Sequence, residues 1–370
     1  MYEDCVWLPF DLMEAFTKDV FTSLGVPDDD ANICADVLIT ADKRGIDSHG
    51  IGRLKTIYYD RIQEGIQQAL TNLEIVREGP TTAVIDGHHG MGQVVSWHSM
   101  NLAIEKAKRY GMGMVAVRNS THYGIAGYYS LMAVKEGMIG ITGTNARPSI
   151  APTFGVENML GTNPLTFGIP SDDPFPFVLD CATSVSQRGQ IEVYDRNNQK
   201  IPEGWVIGHN GQIRSDTHQI LDDLGKSEAA LTPLGGVGEE NAGYKGYGYA
   251  TVVEILSAAL QGGAFLKALT GFDEKGQRRP YCLGHFFIAI NVEAFTSSNE
   301  FKQTTGNILR SLRASKKAPG KEKIYTAGEK EYLTWQERKN KGLPIDPLLQ
   351  QQIITMRDEL ELFKYTFPFE

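Results

Sequence analysis

Histidine and arginine recur beside glycine and serine at several points of this 370-residue chain, and each point offers groups that could bind an acid or move a proton. The first is DSHGIGR at 47–53, which follows an amphipathic helical pattern. Arg53 supplies a planar guanidinium whose fork can grip both oxygens of a carboxylate. Beside it, His49 and its neighbour Ser48 could meet a hydroxyl, since an imidazole can take a proton near neutrality. The same letters also suit a plain cap and turn, because Asp and Ser followed by Gly commonly start or end helices. The second point is NSTHYG at 119–124, between the strand-like MVAVRN and a helical stretch. Ligands of open α/β sheets collect beyond the carboxyl ends of strands, so His122 competes with His49 for the acid/base role. A hydrogen-bonded loop histidine is the plainer alternative for His122; otherwise one ring transfers the proton and the other orients the substrate.

Further on, TNARP at 144–148 and LGTNP at 160–164 frame Arg147, which could receive a second carboxylate or simply be a solvated arginine in a turn. DCATS at 180–184 closes a buried-looking strand, where small and hydroxyl side chains suit either the close approach of a cofactor or ordinary capping. Lys245, within YKGYG, stands at the mouth of a helix, where the dipole and the ammonium together could receive a pyrophosphate. An exposed lysine is the bland alternative.

The usual dinucleotide fingerprint is absent. Gly111, Gly113 and Ala116 have the right letters but precede a strand, and Gly246 with Gly248 is followed by Thr251 where the third small residue belongs. Both sets read better as turn and helix-start glycines. GGVGEE at 235–240 could form an anion-binding nest of backbone N–H groups, but by itself it is an ordinary glycine loop.

The elements that must position these groups read as follows. Residues 9–70 are mainly helical, with Ile33, Val37, Leu38 and Ala41 at helical spacing and Asp36, Asp42 and Lys43 between them. From residue 81, short β-branched runs (TTAVIDG, GMVAVRN, MIGITGTN, PFVLDCATS, HFFIAINVEAF) appear, with helical patterns over 94–110 and 125–136. This is the rhythm of a layered α/β protein. A further helix starts near Lys245, with Val252, Val253, Leu256, Ala259 and Leu260 as its apolar face, and is expected to be buried and central. Beyond about residue 296 the chain turns charged and helical, and it is expected to return beside the N-terminal helices.

Composition narrows the function. A net charge of −9 disfavours nucleic acid and anionic membranes as partners. The four scattered cysteines suggest neither a disulfide framework nor a metal site. The acidic N-terminus lacks the features of a signal peptide, and the longest apolar run, 252–260, contains Glu254 and is too short to span a bilayer. A cytoplasmic location is the resulting expectation.

Taken together, ADKRGIDSHGIGRL, THYG, LGTNP, LDCATS, IPEGW, LTPLGG, KGYGYATVVEILSAALQGG and GHFFIAI, in this order along nearly the whole chain, resemble the malate/L-lactate dehydrogenase family. That family includes ureidoglycolate, L-sulfolactate and piperideine-2-carboxylate enzymes and 2,3-diketo-L-gulonate reductase. The resemblance implies an α/β fold with a mixed sheet, like L-sulfolactate dehydrogenase and unlike the Rossmann dehydrogenases. It implies a discontinuous helical domain (1–80 and 296–370), a connecting and dimerising segment (81–120) and a cofactor-binding domain (121–295). It further implies a homodimer and a nicotinamide cofactor, NAD with NADP possible. Ser48, His49, Arg53 and His122 match the substrate and acid/base positions, and Asn145, Asp180, Cys181, Ala182, Lys245, Gly246, Gly328 and Glu329 the cofactor contacts. Ala327 stands where the family more often has Pro, and Tyr249 where it more often has Leu. NARPSIAPTFG resembles the malate-acting branch, and Arg147 would answer malate's second carboxylate. A reductase of another 2-oxo acid or of a cyclic imine carboxylate is the alternative within enzymes. An inert cofactor-binding interaction protein is the alternative outside them.

Overall fold

In the computed structural model, which describes residues 4–370, the two ends of the chain build one core. Strand β1 (Val6–Leu8) pairs antiparallel with β12 (Leu343–Ile345). Helices α1 (Phe10–Ser23), α2 (Asp28–Lys43) and α11 (Pro347–Glu359) share an apolar cluster that includes Phe16, Phe21, Leu38, Ile353 and Met356. Pro27 precedes α2, and Asp28, Asp29 and Asp30 fill its first turn, where the positive end of the helix dipole favours carboxylates. The spacing places Val37, Leu38 and Ala41 inside, as found, but Asp42 is buried too. It turns inward because its carboxylate accepts the Ile51 N–H at 2.8 Å. After α2 come 3-10 turns at Asp47–His49 and Ile51–Arg53, a π-helical turn at Leu54–Tyr59 and the short α3 (Asp60–Gln63). π-Turns are rare and concentrate at functional sites.

The middle of the chain forms a seven-stranded sheet in the order β2-β3-β4-β11-β5-β6-β7. Its strands are β2 (Glu74–Glu78), β3 (Thr82–Asp86), β4 (Met112–Ser120), β5 (Met138–Thr144), β6 (Leu165–Ile169), β7 (Phe177–Cys181) and β11 (Leu283–Asn291). Only β3 and β4 run parallel; every other neighbour is antiparallel. This is the mixed α/β sheet expected, not a Rossmann sheet, and it explains why no dinucleotide fingerprint follows its strands. Helices α4 (Gly92–Tyr110) and α5 (Ala126–Lys135) cover the sheet, packing Val95, Ala103 and Tyr129 against Val115, Val117 and Phe287.

A smaller three-stranded sheet, β10-β8-β9, combines β8 (Val206–Gly208), β9 (Ile213–Arg214) and β10 (Ala229–Leu231). With α6 (Arg188–Arg196) and α7 (Thr217–Lys226) it shares a core of Ile191, Val206, Ile220 and Leu231, reached by Ala250 of α8 (Gly243–Ala258). Helix α8 is central as expected, packing against β4, β5 and β11, but the expectation that it is buried is corrected, since only one of its faces is. Val252 (47% exposed), Ile255 and Leu260 lie on the surface, while Val253, Glu254 and Ser257 face inward. Glu254 tolerates burial because it accepts hydrogen bonds from Asn163 Nδ2 (2.8 Å) and Leu266 N–H (2.9 Å). Helix α9 (Ser298–Ala314) also departs from expectation. Arg310 and Arg313 tie it to Asp172 and Asp173 in the β6–β7 connection, so it sides with the sheet edge. Helix α10 (Glu329–Arg338) then carries Arg338 back to the N-terminal helices.

Candidate active site

Strand β4 ends at Ser120, and the two residues after it are fixed by the start of α4. Thr121 Oγ1 donates to Gly90 O (2.8 Å) and accepts the Gly92 N–H (2.9 Å), so His122 leaves a backbone that cannot drift. Its imidazole stacks on His49 with ring centroids 5.8 Å apart. Tyr58, fully buried in the π-turn, places its hydroxyl 2.7 Å from His122 Nδ1. That bond fixes the ring orientation and leaves Nε2 as the nitrogen free for a ligand.

The loop bearing His49 is held as firmly. Gly50 lies so close to α2 that a Cβ there would fall 1.9 Å from Asp42 Oδ1. Arg338 reaches from the far end of the sequence, donating to Asp42 O (2.6 Å) and to both oxygens of Asp47 (2.5 and 2.9 Å). Asp47 is thus an anchor. Ser48 Oγ lies 2.9 Å from His49 Nδ1, and Arg53 Nε donates to Ser48 O at 2.5 Å. Arg53 is thereby aimed by the backbone of the loop it serves.

His49, Arg53, His122, Arg147 and Arg188 line one cavity of about 510 Å³, and no described carboxylate joins them. Burial and then the Arg53 charge lower the His49 pKa to about 4. Burial, followed by His49 and the nearby arginines, holds His122 well below the ordinary imidazole range. Both rings are neutral at pH 7, and neutral imidazoles surrounded by guanidiniums can accept a proton from a bound acid's hydroxyl.

The cofactor candidates divide. Asn145 is corrected: it is fully buried, its Oδ1 accepting the Gly284 N–H (2.8 Å) and its Nδ2 donating to Ala264 O (3.2 Å). Its side chain holds β11 and a loop, and is not available to a cofactor. Asp180 accepts the Gly127 N–H at the start of α5 (2.6 Å) and the Thr166 hydroxyl (3.0 Å), while burial raises its pKa. Cys181 beside it is exposed and Ala182 half-buried. Leu234 N–H donates to Thr183 O, and the Leu234 carbonyl lies 2.1 Å from where a Cβ on Gly246 would stand, so Asp180–Ala182 and Lys245–Gly246 converge on one loop. Lys245 itself is exposed. Gly328 packs against the start of β7, and Val178 N–H donates to Ala327 O. Glu329 is buried and paired with Lys323 at 2.6 Å, which makes it a support for that turn.

Three residues absent from the reading of the sequence belong to this site. Tyr58 sits in LKTIYY, where nothing but the π-turn distinguishes it from core. Arg188 opens α6 in a polar stretch, and Arg338 lies 291 residues from its Asp47 partner.

Comparison with known proteins gives the family. The profile of the malate/L-lactate dehydrogenase family matches residues 8–354. A malate dehydrogenase of Pyrococcus abyssi is 47% identical over 93% of this chain and 92% of its own length. An L-sulfolactate dehydrogenase of Methanocaldococcus jannaschii is 42% identical over 93% and 94%. The crystal structure of malate dehydrogenase from Entamoeba histolytica superposes with a TM-score of 0.94 at 45% identity, covering 98% of this chain and 99% of that one.

Proposed function

This chain belongs to the malate/L-lactate dehydrogenase family, and from that premise we propose that it interconverts malate and oxaloacetate with NAD as hydride carrier. The cavity carries this reading: two neutral imidazoles, a guanidinium beside them, further guanidiniums at the mouth and no carboxylate in the lining. Arg53 grips the C1 carboxylate and Arg147 the far one. In the tautomer whose Nδ1–H donates to the Tyr58 oxygen, His122 takes the hydroxyl proton on Nε2, and His49 holds the hydroxyl in line. In the reverse direction the protonated His122 returns that proton to the carbonyl oxygen.

A bound nicotinamide would supply the acceptor for the hydride from C2 of malate. The residues present fit such a group. Gly235, Gly236 and Gly238, with φ of 99°, 83° and 73°, turn the chain tightly into the mouth of α8, where the exposed Lys245 adds a positive charge that suits a pyrophosphate. Cys181 and Ala182 adjoin this loop through the bond from Leu234 N–H to Thr183 O.

A homodimer belongs to the same proposal. Val252, Ile255, Leu260 and Phe265 leave an apolar strip that water covers poorly, and a second copy would bury it. Sedimentation velocity should give a particle of twice the 40.9 kDa chain mass; a monomer would end that part of the reading.

The deciding experiment is NADH and NADPH oxidation by the purified protein with oxaloacetate, pyruvate and a cyclic imine carboxylate side by side. Fast turnover of oxaloacetate with NADH is expected. Activity confined to another acid would replace the substrate while leaving the proton-transfer geometry intact.

A further inference from the structure

Three guanidiniums, not two, reach the cavity. Arg53 lies at its floor, half-buried beside the stacked imidazoles, whereas Arg147 and Arg188 are both exposed and stand at its rim. Arg188 is the first residue of α6, and Gln187 and Gly189 on either side of it also line the cavity. A side chain begun at Gly189 would start 3.9 Å from Arg53 Nη2, so the first turn of α6 stands directly over the floor arginine. The position is thus fixed by the backbone, although the arginine itself is long and exposed.

The only described carboxylate holding Arg188 is Glu192, which accepts from Nε at 3.0 Å across one helical turn. The two side chains are 50% and 44% exposed, so water and salt screen this pair, and it yields readily to a bound anion. With Nε on Glu192, the Nη edge of the guanidinium remains for a second acceptor. The charge balance points the same way. A monocarboxylate offers one anion to three cations, and a dicarboxylate offers two. Long-range attraction and close contact therefore both favour a diacid over its monoacid analogue.

We infer that Arg188 is a specificity-determining residue whose guanidinium joins Arg147 in receiving the far acid group of a dicarboxylic substrate, with Glu192 as its resting partner. This rests on the malate reading above, and it assigns the recognition of the second acid group to a pair of arginines from separate elements, the loop after β5 and the start of α6.

The test is steady-state reduction of oxaloacetate and of pyruvate at saturating NADH by the full chain, comparing wild type with Arg188→Gln, Arg188→Lys and Glu192→Gln. Arg188→Gln should raise the oxaloacetate KM about tenfold with kcat retained, and lower the oxaloacetate-to-pyruvate ratio of kcat/KM about tenfold. Arg188→Lys should recover part of that ratio, and Glu192→Gln should lower the oxaloacetate KM about twofold. A wild-type preference for oxaloacetate that Arg188→Gln leaves unmoved, or a loss equal on both substrates at an unchanged melting temperature, overturns the inference alone. A wild type that reduces oxaloacetate no better than pyruvate overturns the malate reading and the inference with it.

Discussion

The floor of the cavity and its rim are built by opposite means. At the floor, His122 is oriented by Tyr58, its backbone by Thr121, and the His49 loop by Asp42 and by Arg338 from the other end of the chain. At the rim, Arg147 and Arg188 are exposed, and the one ion pair described there joins neighbours on a single helix. Proton transfer needs a donor and acceptor held to a fraction of an ångström, so the imidazoles sit in a network that spans the fold. An acid group can be met by a long, mobile guanidinium, and such a group needs little support.

The contrast fails or holds most visibly at Arg338. Its side chain is nearly inaccessible and supplies a charge opposite Asp47, so Arg338→Met removes the guanidinium that bonds that carboxylate and the Asp42 carbonyl. Urea unfolding should show a loss of about 3 kcal/mol, with kcat falling as the His49 loop loosens. Arg147→Ala, by comparison, should change stability by less than about 0.5 kcal/mol. Equal losses from the two would mean that floor and rim are not built differently.

Tyr58→Phe tests the floor more finely. The substitution keeps the ring packed against Phe21 but removes the hydroxyl from a buried imidazole nitrogen. The expected result is a fall in malate-oxidation kcat of about tenfold, the scale of one buried hydrogen bond, with KM for malate unchanged. A rise in KM with kcat intact would move Tyr58 from orienting His122 to shaping the substrate pocket.

The same contrast explains what the sequence made legible. Five strands of the central sheet could be read from β-branched runs because β3, β4, β5, β7 and β11 bring buried residues to at least one face. β2, EIVRE, is exposed throughout and has no apolar face to betray it. His49, Arg53, His122 and Arg147 stood out because their types are few and their glycine-rich surroundings unusual, and all four meet at the cavity. Their supports could not be read: Arg338 meets Asp47 only through tertiary folding, and Tyr58 is an aromatic in an apolar run until the π-turn aims it. Helix α8 misled for a different reason. GYATVVEILSA is apolar nearly all round, so periodicity cannot choose its buried face, and the hydrogen bonds available to Glu254 decide the matter.

The smallest expected effect isolates the burial of the floor imidazoles. His49 is held neutral, with its pKa lowered from 6.5 to about 4, whereas the unfolded chain protonates it below 6.5. Between those values the unfolded state binds the extra proton, so this residue's contribution to stability is fully present above pH 6.5 and drains away as pH falls toward 4. Asp42 and Asp180, whose pKa values burial raises, act with the opposite sign in overlapping ranges, so the wild-type profile alone cannot isolate His49. The difference between wild type and His49→Asn can, because the carboxylates are common to both. Wild-type melting temperature minus that of His49→Asn should decrease by a few degrees from pH 7 to pH 5. A difference that stays flat would mean that His49 titrates normally, and that the floor, like the rim, is open to water.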